Sequence, residues 1–300
     1  MSYHNPVMLD ECIEGLAINP EGVYVDVTFG GGGHSKAILE KLTTGKLLAF
    51  DQDEDAKANA EKIDNRSFTF IEANFRHLKR FLRLHGIKAV DGILADLGVS
   101  SHQIDTAERG FSTRFSADLD MRMNINSSLT AKNVVNDYSE QELHRVLGMY
   151  GEVRNAKTLA ASIVSARDAQ PIETIDDLKA ILERHAKRGK EFRYYAQVFQ
   201  AIRIEVNDEM KALEEMLEQC AAVLKEDGRL VVMSYHSLED RIVKNFIAKG
   251  KVYGEVEKDF FGNMIRPLEP VNRKLITASE EELKINNRAR SAKLRIARKN

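Results

Sequence analysis

The chain has 300 residues, 43% of them hydrophobic and 30% charged, with a formal net charge of −2. That is enough apolar material for a core, yet no run approaches the ~20 apolar residues a bilayer span needs, and the opening MSYHNPVMLDE lacks the basic-then-apolar pattern of a secretion signal. Near-neutral charge excludes a grip on nucleic acid by bulk positive charge but not a local cationic face, and two distant cysteines, Cys12 and Cys220, exclude a disulfide framework or a cysteine zinc site. These figures point to a soluble protein of a reducing compartment, placed in the cytoplasm.

Val23–Val27 predicts a buried strand, followed at once by the glycine run Gly30–Gly33 and a helix over His34–Lys41. Lys46–Phe50 is a second strand ending at Asp51, Asp53–Ile63 suits a helix, and Phe68–Ile71 is a third strand. A helix over Arg76–Leu84 and a fourth strand over Asp91–Ala95, ending at Asp96, complete this alternation. Strands alternating with helices imply βαβ units and a parallel sheet covered on both faces.

From about Asp105 to Val206 no apolar strand is evident. Helices are expected over Ser139–Met149, Ala156–Arg167, Ile175–Lys187 and Phe192–Ile204, and Thr174 and Asp177 have the spacing of a capping box. We read residues 105–206 as an inserted helical domain, with 1–104 and 207–300 forming one discontinuous domain. Asn207 is expected to cap a helix with Met210, Leu213, Leu217 and Cys220 on its apolar face. Asp227-Gly228 would end that helix, Arg229–Met233 is a fifth strand, and Leu238–Ala248 is another helix. Weaker strands are expected over Lys274–Ala278 and Ser291–Ala297.

The strongest local signal is Asp26-Val-Thr-Phe-Gly-Gly-Gly-Gly-His34 at a strand-to-helix turn. Glycines let the backbone approach a ligand closely. No Gly-Lys-Ser/Thr follows, and Ser35 stands where the third glycine of a dinucleotide fingerprint belongs. Asp26 would also repel a pyrophosphate. Asp51, at the end of the second strand, can accept hydrogen bonds from ribose hydroxyls, although a strand-end Asp is as often a turn former. Asn74-Phe75 could receive an adenine ring or be a turn residue beside a core aromatic. With Asp96 at the fourth strand end, the set suits a nucleoside cofactor without pyrophosphate, and S-adenosylmethionine fits.

These segments resemble the bacterial RsmH (MraW) family of ribosomal RNA small-subunit methyltransferases, which methylate cytosine N4 in 16S rRNA. The matching pieces include His4-Asn-Pro-Val-Met-Leu-Asp-Glu11, Thr28–Ser35, Ala49–Asp53 and Asp96-Leu-Gly-Val-Ser-Ser101. They continue through Asp118–Arg122, Arg203–Asp208, Ser234-Tyr-His-Ser-Leu-Glu-Asp240 and Arg288–Arg295, spanning nearly the whole chain. One departure is Val27, where the family more often has a small residue. The resemblance implies an α/β class I S-adenosylmethionine-dependent methyltransferase fold with a helical insertion after the fourth strand. It also places cofactor contacts at Gly32, Gly33, His34, Asp51, Phe75, Asp96 and Gln103.

Many amino-methyltransferases carry an acceptor and an aromatic platform at the fourth strand end, but here the run is Asp96-Leu-Gly-Val. The platform must come from elsewhere, and Tyr235 is the candidate. Asp96, Ser100, Tyr235 and His236 are expected to frame the target base, with a helix cap as the alternative role for Ser100 and His236. The histidines show no ligand spacing, so no metal is expected.

For 16S rRNA and the small ribosomal subunit, two basic segments stand out. Arg184–Arg193 has five Lys/Arg against one acid and continues into Tyr194-Tyr195, which could stack on bases or simply end a solvated helix. Lys284–Asn300 holds seven Lys/Arg and no acid, whereas residues 1–105 carry 11 basic against 16 acidic side chains. The insertion offers surface for RNA or for a homodimer. Rival readings are a nicotinamide oxidoreductase, a non-catalytic RNA-binding assembly protein, and a methyltransferase acting on protein or small molecules.

Overall fold

A computed structural model describes residues 6–272 and 274–300, so His4 and Asn5 of the first matching piece lie outside the described residues. In chain order the elements begin α1 (Leu9–Leu16), β1 (Val23–Asp26), α2 (Gly33–Lys41), β2 (Lys46–Asp51), α3 (Glu54–Ala60), β3 (Phe68–Glu72), α4 (Leu78–Leu84) and β4 (Val90–Asp96). Six helices follow: α5 (Ser101–Asp105), α6 (Ala131–Asp137), α7 (Glu140–Gly151), α8 (Ala156–Ala169), α9 (Ile175–Glu183) and α10 (Glu191–Asn207). Then come α11 (Glu209–Val223), β5 (Leu224–Ser234), α12 (Ser237–Lys249), β6 (Leu268–Pro270), α13 (Glu280–Ile285) and β7 (Lys293–Lys299). The chain divides into two compact units, one running to Gly98 and resuming at Met210, the other Val99–Glu209.

The first unit is built on a seven-stranded sheet in the order β3-β2-β1-β4-β5-β7-β6. The first five are mutually parallel, while β7 runs antiparallel to both β5 and β6. Parallel strands covered on both faces bury nearly every side chain, which is why Val25, Leu47, Leu48, Ile93 and Leu94 are at most 2% exposed. The mostly parallel sheet, and the run of helices between its fourth and fifth strands, match the fold class expected above.

The second unit is helical and has its own core, with Leu143 and Leu147 of α7, Leu159 and Ile163 of α8, Leu178 and Leu182 of α9, and Val198 and Ile202 of α10. Thr174 and Asp177 do form a capping box at the start of α9, with the Thr174 hydroxyl accepting from the Asp177 N–H and the Asp177 carboxylate accepting from the Thr174 N–H. Among the described residues no helix is long and apolar enough to cross a membrane.

Three expectations are corrected. Asn207 is not an N-cap: it is the last residue of α10, and its amide donates to the Met121 and Arg203 carbonyls while accepting from the Met123 N–H. The turn between α10 and α11 is made instead by Asp208 in the left-handed region (φ 49°). The fifth strand starts at Leu224, not Arg229, and Asp227-Gly228 lies within a register shift where Val90 and Gly92 face Leu224 and Arg229. Residues 274–278 form no named strand, only a single bridge from Ile276 to Leu294; the edge is supplied by the three-residue β6.

Candidate functional site

Three aspartates stand at the carboxyl ends of the neighbouring strands β1, β2 and β4. Asp26 is 1% exposed and works inside the turn: its carboxylate accepts from the Thr28 N–H at 3.0 Å and from the Ser35 hydroxyl at 2.7 Å. Ser35, the residue that spoils the dinucleotide fingerprint, is therefore the partner of a buried acid. Burial nonetheless pushes the Asp26 carboxyl above the usual carboxylate range.

The glycine turn is shaped by its neighbours. Gly30 and Gly32 adopt positive φ (50° and 77°), and a Cβ on Gly33 would lie 2.3 Å from the Pro6 ring. Around Gly31, by contrast, there is open space. The Gly30 N–H donates to Asp51 Oδ2 at 2.8 Å, and the Asp53 N–H donates to its Oδ1 at 2.9 Å. Each Asp51 oxygen keeps a further lone pair. Desolvation first, with the neighbouring Asp53 and Asp26 charges adding to it, raises the Asp51 carboxyl to about 6.

Phe75 opens a short 3-10 turn capped by Asn74, whose side chain also donates to Gln52 at 2.8 Å. The turn is anchored on α11, where Arg76 Nε meets Glu215 at 2.7 Å and the Gln219 amide donates to the Arg76 carbonyl. Phe75 is half-buried. His34, 6% exposed, sets Nε2 3.1 Å from the Val7 carbonyl and Nδ1 3.8 Å from Asp96 Oδ2.

Asp96 is the centre of the arrangement. The Tyr235 hydroxyl donates to its Oδ1 at 2.7 Å, and the Asp96 N–H donates to the Thr28 hydroxyl at 2.6 Å. Burial raises its carboxyl to about 6, with His34 and the Tyr235 hydrogen bond pulling the other way. The Tyr235 hydroxyl is pushed far above its ordinary value by burial and by the Asp96 charge, so it stays a donor. Its ring lies over Gly98, where a Cβ would come within 3.4 Å of Cδ2.

His236 takes the cap role: it is the N-cap of α12, with Nδ1 3.4 Å from the Glu239 N–H and Nε2 3.2 Å from Glu239 Oε1. Glu239, 2% exposed, accepts from the Tyr235 N–H at 2.8 Å and so fixes the Tyr235-His236 elbow. Sequence reasoning missed Glu239 and Thr28. The cap role weighed for His236 points to the first, since a capping box from His236 places its partner three residues on, at Glu239. Ser100 and Gln103 belong to the second unit, where they cap α5 reciprocally: the Ser100 hydroxyl accepts from the Gln103 N–H, and Gln103 Oε1 accepts from the Ser100 N–H.

The basic segments divide. Arg184, Lys187, Arg188, Lys190 and Arg193 are all exposed. The tyrosines beside them are not free to stack: Tyr195 is buried in the unit's core, and Tyr194 is half-buried with its hydroxyl donating to Asn155. The exposed aromatic there is Phe192, 85% exposed. In the closing segment the basic residues of β7 are largely paired, Arg295 and Lys293 with Asp240 and Arg298 with Asp227 and Glu269.

A family model described as the MraW methylase family matches residues 1–300. A protein of Cytophaga hutchinsonii named ribosomal RNA small subunit methyltransferase H is 59% identical over 98% of this chain and 99% of its own. One of the same name from Flavobacterium johnsoniae is 59% identical over 100% of this chain and 98% of its own. A solved rRNA methylase of Streptococcus thermophilus aligns over 97% of this chain and 93% of its own at 14% identity, with a TM-score of 0.41.

Proposed function

The chain belongs to the MraW methylase family, and on that premise we propose that it transfers a methyl group from S-adenosylmethionine to the exocyclic N4 of a cytidine in 16S rRNA, in the cytoplasm where the small subunit is made. The observation that carries this reading is the gathering of Asp26, Asp51 and Asp96 in one desolvated site, each with its carboxyl pushed upward. Such a site repels a pyrophosphate and favours a cation, which argues against the nicotinamide rival. The open space at Gly31, the spare lone pairs of Asp51 and the partly exposed Phe75 suit an adenosine group joined to that cation. We assign Gly32, Gly33, His34, Asp51, Phe75 and Asp96 to holding it. When bound, S-adenosylmethionine supplies an electrophilic methyl group on a positively charged sulfur.

The amine of cytosine is a weak nucleophile because its lone pair is delocalised into the ring. An acceptor on its N–H lets the nitrogen pyramidalise, and transfer then depends on alignment more than on a strong base. Asp96 takes the acceptor role. Tyr235 holds it through the 2.7 Å hydrogen bond and offers an aromatic face to the base. Ser100 and His236 act as caps of the helices that follow them, His236 keeping Tyr235 in place through Glu239. The cations of Arg184–Arg193, with Phe192, are assigned to RNA recognition by the inserted unit.

The test is tritiated methyl incorporation into 16S rRNA, followed by nucleotide-resolution mapping in ribosomes from cells with and without the protein. Label on N4 of a cytidine, missing from the deleted cells, is the expected result. RNA binding without label would favour the non-catalytic rival.

A further inference from the structure

A pocket of about 280 Å3 in the first unit shares no lining residue with the site above. Its apolar lining includes Ile247 of α12, Pro270 of β6 and Ile296 of β7. Lys244, Arg266, Lys274 and Arg295 line it as well, and no carboxylate is among its lining residues. Arg295 is held by Asp240 at 2.7 Å, whereas Lys244, Arg266 and Lys274 form no ion pair among the described residues. Like charges gathered around one pocket repel one another unless an anion joins them.

The origin of the cations says what kind of anion. They come from four chain segments: α12, the turn before β6, the turn after it, and β7. No glycine turn lines the pocket to form the N–H cradle that takes a single terminal phosphate. Cations from several segments interspersed with apolar side chains suit a strand, with phosphates meeting the cations and sugar or base faces the apolar groups. We infer that this pocket docks a stretch of single-stranded RNA flanking the target nucleotide, an inference that rests on the rRNA substrate proposed above. The connection to the site is α12 itself: its cap follows Tyr235 directly, and Lys244 stands about 12 Å along the helix from His236.

The test uses the full chain with 16S rRNA and a Lys244→Ala/Lys274→Ala variant. Both side chains are exposed, and S-adenosylmethionine affinity by calorimetry checks that the variant is folded. The expected result is a KM for RNA raised about tenfold with kcat unchanged, and a plot of log Kd against log salt shallower by about 1.5, as for two lost phosphate contacts. Lys→Arg replacements at both positions should restore the parent values. If the parent methylates RNA and the alanine variant matches it in KM and salt slope, the pocket assignment is wrong. If the parent methylates no RNA, the functional reading itself fails. Competition for the pocket by cytidine monophosphate at micromolar concentration would give it to a free nucleotide and overturn the inference.

Discussion

At the carboxyl ends of β1, β2 and β4 three aspartates share a site from which most water is excluded, whereas on the β6–β7 side of the same sheet Lys and Arg stand on strand and helix surfaces. The acids are held by backbone N–H groups and by the hydroxyls of Ser35, Thr28 and Tyr235, and two of them are raised to about 6. The bases of β7 instead meet acids on their neighbours, Arg295 and Lys293 sharing Asp240 and the more exposed Arg298 lying between Asp227 and Glu269. Charge of equal size thus has unequal consequences. Desolvated, it becomes a group whose protonation chemistry can use; exposed and paired, it is screened and contributes little. The formal charge of −2 averages over both.

The largest effect expected from breaking this contrast is at Asp96. Asp96→Asn keeps the shape but loses the anionic acceptor, and single-turnover methyl transfer should slow on the order of 10³-fold. A variant keeping a tenth of the parent rate would remove Asp96 from its role. Next is Tyr235→Phe, expected to slow transfer about tenfold by freeing Asp96. Because the Asp96 carboxyl lies near 6, kcat/KM for the methyl donor should fall as pH drops below about 6. The Tyr235 hydrogen bond holds that value down, so its loss should move the acid limb to higher pH; a limb that stays in place would uncouple the pair. The smallest effect belongs to the other side of the sheet. Arg298→Ala removes an exposed pair with Asp227, and denaturant unfolding should show a change of less than about 0.5 kcal/mol.

Much of the sheet was legible because parallel strands buried on both faces must be apolar runs, and Asp26, Asp51 and Asp96 mark where three of them end. The glycine turn was legible for the same reason that it works: a Cβ on Gly32 would lie 2.8 Å from the Phe29 ring and one on Gly33 2.3 Å from Pro6. The sheet's far side was not. β6 has three residues and ends in Pro270, too short for periodicity, while the more apolar 274–278 makes one bridge. Around α10 the failure was one of depth: Tyr195, Val198, Phe199 and Ile202 share the buried stripe, and Phe192 shares it by spacing yet is 85% exposed. Where a stripe leaves the core is a tertiary fact. The Tyr235 bond to Asp96 spans 139 residues, and no local pattern announces such a pair.

The antiparallel β7 lies between β5 and β6 although the chain makes it after both. Until it is made, β6 has no sheet to join, and β5, which carries Tyr235 just beyond its end, shows an unpaired edge along Leu230–Met233. About sixty residues separate the end of β5 from the start of β7, roughly 3–12 s of synthesis. For that interval the nascent chain carries a bare apolar edge next to Tyr235, the kind of template on which neighbouring chains pair wrongly. Closing the sheet is therefore also the step that ends its exposure to aggregation.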